Sequence, residues 1–213
     1  MKKIFTYDKM KLNIYDISTS IIFNDEKMKK RMLNVMPLDD YTYIDSKVIM
    51  YNITVKKFLE INEFNMKLVP FYNLQSLMSK KISSLDLETQ IFIKIIINLN
   101  DCRGIVIFDD VLSYLSDFEK EKVVEYIHTK NIKFINITSN MEETVDAPYL
   151  IVLANDVVAI EGSTINVLKE EKLLKRLGFN LPFIVDLSLN LKSYGVIDDD
   201  IFDLDRMVDK LWN

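Results

Sequence analysis

Cysteine and histidine are nearly absent from this 213-residue sequence, and each scarcity excludes a class of site. The single cysteine, Cys102, excludes an internal disulfide and a cysteine-cluster metal site. The only histidine, His128, leaves too few imidazoles for most catalytic triads and zinc sites. We therefore interpret Cys102 as a small residue that fills a gap before a strand. His128 lies late in an amphipathic helix, where a cation compensates the helix dipole.

Glycine is the most informative absence, because none of the four glycines precedes Gly104. A loop that wraps phosphate with its backbone N–H groups needs glycine, which adopts positive φ and lets an anion approach closely. Residues 1–103 therefore lack the means to build such a loop. Yet residues 104–110, Gly-Ile-Val-Ile-Phe-Asp-Asp, read as an apolar strand that ends in two carboxylates. Such a strand is the usual second half of a nucleotide-binding site.

Long apolar runs and an excess of positive charge are also missing. The longest apolar stretch, around residues 91–99, is interrupted by Lys94 and Asn98, so we expect no segment that spans a bilayer. Charged residues at positions 8, 9 and 11 interrupt the N-terminal region, which argues against a secretion signal. A net charge of −5 argues against nucleic acid or an anionic membrane surface as the main partner.

The hydrophobic pattern predicts an α/β protein. In the second half, runs of β-branched residues are separated by a helix, which is typical of a parallel sheet covered on both faces. The predicted strands are 3–6, 11–23, 41–51, 105–108 and 133–137, with a hairpin formed by 149–153 and 157–161. The predicted helices are 25–36, 54–61, 84–99, 117–130, 141–145, 165–177, 182–194 and 204–212, with Gly178 and Gly195 ending two of them.

Four stretches resemble, in order and spacing, the motifs of ATP-binding-cassette ATPases. Residues 81–86, Lys-Ile-Ser-Ser-Leu-Asp, open a helix where that family has its LSGGQ signature, and residues 104–110 follow where its Walker B strand belongs. Residues 137–140, Ile-Thr-Ser-Asn, end the next strand, where the family has its switch histidine. Residues 149–167 resemble the family's closing hairpin.

A stretch near the end of the sequence makes the resemblance to this family more specific. Residues 173–187, Leu-Leu-Lys-Arg-Leu-Gly-Phe-Asn-Leu-Pro-Phe-Ile-Val-Asp-Leu, resemble the C-terminal segment of energy-coupling-factor (ECF) transporter ATPases. The resemblance implies a P-loop-NTPase-like core with a mostly parallel sheet flanked by helices, an N-terminal antiparallel β part and a helical insertion. It also implies a cassette domain at residues 1–168 and a helical extension at 169–213.

The strand-end carboxylates are the candidate catalytic residues that the resemblance implies. Asp109 matches the Walker B aspartate that holds Mg²⁺, and Asp110 stands in for the glutamate that polarises the attacking water. Aspartate is one methylene shorter than glutamate, so Asp110 must approach the water closely to serve as a base. The alternative is that both carboxylates cap the next turn.

The phosphate-binding position departs most from the family. Residues 24–31 align with GxxGxGK[ST] and place Lys30 in the register of the phosphate lysine, within a run of basic residues. Asp25 and Glu26 then lie where phosphate binds, and a carboxylate at a helix N-terminus repels an anion. We therefore expect no nucleotide to be held with normal affinity by this loop.

The remaining nucleotide motifs are altered as well. Ser83 matches the signature serine, which acts on the nucleotide of a partner subunit, although an ordinary helix N-cap is the alternative role. Ser139 replaces the switch histidine. Neither Gln75 nor Gln90 falls at the family's glutamine loop, expected near residues 44–47.

The resemblance implies a degenerate ATPase subunit of an ECF-type uptake transporter, itself impaired or inactive in hydrolysis. It would assemble with an intact, homologous ATPase and a transmembrane coupling protein, and would be held peripherally at the cytoplasmic face through them. ATP and Mg²⁺ would enter only a composite site shared with the partner. Two alternatives stay open: a divergent but active ATPase, and a stand-alone regulatory or binding protein on the same scaffold.

Overall fold

The computed structural model describes residues 2–48, 51–102 and 104–212, in which strands and helices are interspersed and the last elements are helices. The strands are β1 (Lys3–Tyr7), β2 (Leu12–Tyr15), β3 (Thr19–Phe23), β4 (Thr42–Asp45), β5 (Ile105–Asp109), β6 (Lys133–Thr138), β7 (Tyr149–Ala154) and β8 (Val157–Ser163). The α-helices are α1 (Glu26–Leu33), α2 (Val55–Ile61), α3 (Leu87–Asp101), α4 (Asp117–Thr129), α5 (Thr164–Leu168), α6 (Glu171–Arg176), α7 (Phe183–Ser193) and α8 (Leu204–Trp212).

The chain divides into two compact units. The first contains Met1–Met36 and Asn136–Asn213, and the second contains Pro37–Ile135. The second unit is therefore inserted between the two segments of the first. The domain boundary expected between residues 168 and 169 is a different division and stays a prediction.

In the first unit, β3 pairs in parallel with β7, and β7 pairs antiparallel with β8. The β7–β8 hairpin was predicted from its turn, and both turn residues, Asn155 and Asp156, have positive φ values of 51° and 65°. Two consecutive residues with positive φ form the type I′ turn that matches the twist of paired strands. The N-terminal strands β1 and β2 form a separate antiparallel pair, as the family resemblance implied.

In the second unit, β4 and β5 run parallel, and their last residues, Asp45 and Asp109, are register partners. Helix α4 begins with a capping box, because the hydroxyl of Ser116 accepts from the backbone N–H of Glu119 while the Glu119 carboxylate accepts from the N–H of Ser116. Helix α3 is buried along most of its length, as predicted from its apolar sequence.

Two predicted strands are shorter than the sequence pattern indicated. The apolar stretch 11–23 divides into β2 and β3, because the chain turns after β2, where the N–H of Ile17 donates to the carbonyl of Tyr15 at 2.8 Å, and β3 pairs with a different strand. The stretch 41–51 yields only β4, since the carboxylate of Asp45 accepts from the N–H of Lys47 and bends the chain. Residues 49–50 of that prediction lie outside the described residues.

Helix boundaries also changed where a polar side chain lies at the helix start. Helix α1 is predicted at 25–36 but begins after Asp25, which is its N-cap. The predicted helix 165–177 is two helices, α5 and α6, and Gly178 ends the second with a φ of 86°. The predicted helix 141–145 is a 3₁₀ turn at Met141–Thr144, whereas α8 is confirmed at the predicted bounds.

Helix α8 docks through a small apolar cluster. Among its described residues Met207 is the buried one, at 1% exposure, and it packs with Ile197 and Ile201. The opposite face leaves Val208 45% exposed and Trp212 78% exposed. A single buried side chain therefore holds most of this helix in place.

We expect Met207→Ala to release α8 from the first unit. Removing a buried methionine costs about 2–5 kcal/mol, which is enough to open a short terminal helix that has few other contacts. Amide hydrogen exchange of α8 measures the effect, and Val208→Ala serves as the exposed control on the same helix. Equal exchange in the two variants would contradict the docking role of Met207.

Candidate functional site

The connection between β3 and α1 consists of two residues, Asn24 and Asp25. The carboxylate of Asp25 accepts from the N–H of Lys27 at 2.8 Å, and its carbonyl accepts from the N–H groups of Met28 and Lys29 at 3.0 and 3.1 Å. The carboxylate therefore satisfies one N–H group that the helix leaves free, whereas the two carbonyl bonds are the usual first bonds of a helix. A glycine-rich phosphate loop is longer and leaves such a free donor for its ligand.

Lys30 is the fifth residue of α1 and is exposed. At 1.5 Å per residue it lies about 6 Å along the axis from the helix start, whereas a phosphate lysine must reach the anion at the N-terminus. Its neighbours have other partners, since the Lys29 ammonium lies 5.1 Å from the centre of the Phe23 ring and Arg31 pairs with Asp156. The phosphate role of Lys30 stays a prediction.

Asp109 ends β5 and is 8% exposed. Its carboxylate accepts a hydrogen bond from the hydroxyl of Tyr43, which lies on the neighbouring strand β4. Burial, together with this hydrogen bond to a carboxylate, raises the pKa of the Tyr43 hydroxyl. Tyr43 therefore remains a neutral donor to one oxygen of the carboxylate that would contact Mg²⁺ in the implied role of Asp109.

Asp110 follows directly and adopts a φ of 52°, in the left-handed region. Aspartate occupies this region more readily than most residues, and the conformation turns the chain sharply away from the end of β5. The hydroxyl of Ser113 donates to the carbonyl of Asp110 at 3.4 Å. The roles of Asp109 in Mg²⁺ binding and of Asp110 in catalysis stay predictions.

Ser83 lies before α3, in a 3₁₀ turn at Ile82–Ser84, and is exposed. Its possible role as the helix N-cap is wrong, because Asp86 occupies that position and its carboxylate accepts from the N–H of Thr89 at 2.7 Å. Hydrogen bonding to Thr89 lowers the pKa of the Asp86 carboxyl. An aspartate replaces serine as the cap because α3 begins three residues later than the sequence indicated. Ser83 therefore does not cap α3, and its side chain is exposed.

The turn after β6, residues 139–144, includes the switch position. Ser139 is exposed, and Asn140 caps the turn by accepting from the N–H of Glu142 at 3.1 Å. The Thr138 hydroxyl accepts from the N–H of Asn140 at 3.0 Å. Serine supplies no imidazole at this position, as the sequence already showed.

Lys30 belongs to the first unit, whereas Ser83, Asp109 and Asp110 belong to the second. Asp109 and Asp110 are brought together by the end of β5, but Ser83 lies in the segment that leads into α3. In the described ranges 2–48, 51–102 and 104–212, no three His, Cys, Asp or Glu side chains are grouped to hold a metal ion. Helices long and apolar enough to cross a membrane are also missing from those ranges.

The sequence analysis missed an ion pair at the end of β4, where the glutamine loop was expected. We call this pair, Lys94 and Asp45, the clamp. The ammonium of Lys94, on α3, donates to the carboxylate of Asp45 at 2.5 Å and to the carbonyls of Asp45 and Lys47 at 2.7 Å each. Burial opposes ionisation of Asp45, but the hydrogen bond and charge of Lys94 outweigh it, and the net effect lowers the pKa of Asp45. Lys94 was visible as a lone cation within an apolar helix, a position that requires a partner.

A cavity of about 190 Å³ lies beside this clamp in the second unit. Its apolar lining comes from Val48, Tyr51, Phe58, Ile82 and Ile93, and its polar lining comes from Lys47, Gln90 and Lys94. The side-chain amide of Gln90 donates to the carbonyl of Leu85 at 2.8 Å. Gln90 therefore stabilises the segment before α3.

Sequence comparison finds relatives among transporter ATPases, although no protein-family model matches the chain. It is 28% identical over 113 residues to the energy-coupling factor transporter ATP-binding protein EcfA1 of Lactobacillus delbrueckii subsp. bulgaricus, covering 51% of this chain and 40% of that protein. It is 29% identical over 164 residues to EcfA1 of Clostridioides difficile, covering 75% and 58%. The chain thus spans between two fifths and three fifths of the length of these relatives.

Solved structures confirm the cassette fold. CbiO1 from Clostridium perfringens, described as part of the ABC transporter complex CbiONQ, superposes with a TM-score of 0.59 at 12% identity, covering 82% of this chain and 91% of that one. An inward-facing putative metal-chelate type ABC transporter gives a TM-score of 0.62 at 15% identity, covering 78% and 80%. The predicted α/β fold with a mostly parallel sheet is confirmed, as is the resemblance to ECF transporter ATPases.

We expect Lys94→Met to destabilise the second unit by about 1–3 kcal/mol at neutral pH, because it leaves a half-buried carboxylate and two carbonyls without their charged donor. Urea unfolding measures the loss. Lys47→Met is the matched control, since the Lys47 ammonium lies 3.6 Å from the same carboxylate but is 90% exposed, and such pairs contribute little.

The loss should depend on pH. A carboxyl whose pKa is lowered by folding stabilises the protein above its unfolded pKa of about 3.9 and loses that contribution as pH falls through the folded pKa. The difference between the native protein and Lys94→Met should therefore narrow in acid. A difference that persists unchanged at low pH would show that Lys94 acts through packing rather than through Asp45.

Proposed function

We propose that this chain, which has the cassette fold and resembles ECF transporter ATPases, is a subunit of an ECF-type uptake transporter that no longer holds a nucleotide at its own phosphate-binding position. It assembles with an intact, homologous ATPase and with a transmembrane coupling protein. Those partners hold it at the cytoplasmic face of the membrane. Its role is to complete the ATPase pair and to transmit motion.

The β3–α1 connection is the observation that carries this proposal. Two residues connect β3 to α1, so six of the eight residues that align with the glycine-rich motif already lie in the helix, and the Asp25 carboxylate accepts from the N–H of Lys27. A bound carboxylate also neutralises the positive end of α1 and repels a second anion. The connection therefore offers Mg-ATP neither a glycine-rich loop nor the N–H donor of Lys27.

The altered motifs elsewhere support the same conclusion. The Asp109 carboxylate is already bonded to Tyr43, and the switch position has Ser139 in place of histidine. The core strands keep their apolar sequences, as β3 shows by being buried at each of its residues. Loss of the nucleotide motifs with retention of the frame favours a structural subunit over the divergent, active ATPase.

Assembly with an intact ATPase is supported by the exposure of Ser83. In ATP-binding cassettes the signature serine acts on the nucleotide bound by the partner, so it does not need a phosphate loop in its own chain. Ser83 lies on the surface before α3, in a turn fixed by the hydrogen bond from its N–H to the carbonyl of Tyr51 at 3.1 Å. An exposed serine at the signature position supports a contribution to a composite site.

We expect the isolated chain to show no saturable heat on titration with millimolar Mg-ATP, because the β3–α1 connection provides no phosphate cradle. Isothermal titration calorimetry measures this, with an intact EcfA1 protein as the positive control. The proposal fails if the isolated chain binds Mg-ATP saturably, or if it hydrolyses ATP with a turnover that Asp110→Asn abolishes.

In a complex reconstituted with an intact ECF-type ATPase and its transmembrane coupling protein, Asp110→Asn should change ATP turnover by less than about two-fold. Ser83→Ala should lower turnover by about ten-fold or more, the effect of losing one hydrogen bond to a charged phosphate. Steady-state phosphate release measures both. Turnover that falls with Asp110→Asn but not with Ser83→Ala would point to a working site in this chain instead.

A further inference from the structure

The chain between α6 and α7, residues 177–182, lies against both loops of the first unit that face the implied phosphate position. Helix α6 ends at Arg176, and Gly178 then adopts a φ of 86°. The N–H of Phe179 returns to the carbonyl of Leu174 at 3.0 Å and closes the helix end. This turn leaves the carbonyl of Leu177 facing outward from the helix.

Two hydrogen bonds join this segment to the two loops. The side-chain amide of Asn24, in the β3–α1 connection, donates to the carbonyl of Leu177 at 2.7 Å. The N–H of Phe183, at the start of α7, donates to the carboxylate of Glu142 at 2.8 Å, in the turn after β6. The first satisfies a carbonyl at the end of one helix, and the second satisfies an N–H at the start of the next.

Apolar side chains reinforce both contacts. Phe179 and Leu181 are 4% and 8% exposed, and they belong to one buried cluster with Ile22 of β3 and Met141 of the turn after β6. The segment is therefore packed as well as hydrogen bonded. A flexible tail resting on the surface would leave these side chains in water.

We propose that residues 177–182 form an internal closure. By this we mean that the segment ties the β3–α1 connection to the turn after β6, at the end of the first unit where a cassette binds phosphate. The carbonyl of Leu177 accepts from the β3–α1 connection, as a phosphate oxygen accepts from a glycine-rich loop. Through Asn24 and Glu142 the segment ties together two loops that a bound nucleotide organises in a cassette. The inference concerns this chain alone and holds whether or not the proposed assembly forms.

The remaining space does not suit a triphosphate. A cavity of about 260 Å³ lies between the turn after β6 and this segment, lined by residues 139–142 and 178–181. The Glu142 carboxylate is part of its lining, and it opposes a second negative charge.

Hydrogen exchange on the full chain tests the closure. Asn24→Ala removes the bond to Leu177, and Glu142→Ala removes the bond to Phe183. If the segment ties the loops together, Asn24→Ala should raise exchange of the Phe183 amide, and Glu142→Ala should raise exchange of the Lys27 amide. Each rise should be about three- to ten-fold, the factor for one lost hydrogen bond.

Asn180→Ala is the matched control, because Asn180 is an exposed residue of the same segment and its replacement should leave the exchange of both amides unchanged.

The closure is overturned if each variant raises exchange only in its own loop, or if Mg-ATP protects the amides of residues 24–29 in Asn24→Ala. That second outcome would instead identify the segment as a displaceable plug. Absence of coupling without ATP binding would refute the closure and leave the proposed function standing.

Discussion

What satisfies the start of α1 determines what this end of the sheet can bind. A helix N-terminus presents N–H groups without partners and a partial positive charge. In a phosphate-binding loop an anion from solution fulfils both needs. Here the carboxylate of Asp25 fulfils them from within the chain, by accepting from the N–H of Lys27 and by carrying a negative charge. Because Asp25 belongs to the chain, its carboxylate is always next to the start of the helix. A phosphate from solution would have to displace it.

The cassette frame persists because its stability lies elsewhere. The paired strands β3 and β7 contribute Ile21, Ile22, Leu150, Ile151 and Val152, each fully buried. A fully buried aliphatic side chain contributes about 1.5–3 kcal/mol, and this contribution depends only on apolar character and size. Loop residues outside this core contribute little to it. The chain can therefore adopt the cassette fold at only 12–15% overall identity to solved cassettes.

Features with a local cause could be predicted from the sequence. The β7–β8 hairpin follows from its two turn residues, the end of α6 from Gly178, and the bounds of α8 from its periodicity. The contacts that shape the candidate site join residues far apart in the chain. Lys94 is 49 positions from Asp45, Tyr43 is 66 from Asp109, and Asn24 is 153 from Leu177. No periodicity or motif records such a pair, although the isolated charge of Lys94 showed that a partner was needed.

These three long-range contacts share a physical logic. In a nucleotide-binding cassette, polar groups at the ends of parallel strands are arranged for an external ligand. In this chain, polar groups at or just after the ends of three strands bond to other parts of the protein. Asp109 and Asp45 are at least partly buried, whereas Asn24 is exposed. Asp109 has the Tyr43 hydroxyl, Asp45 has the Lys94 ammonium, and Asn24 has the Leu177 carbonyl. Each internal partner lowers the free energy of the unliganded state. These bonds therefore stabilise the fold without any ligand at the strand ends.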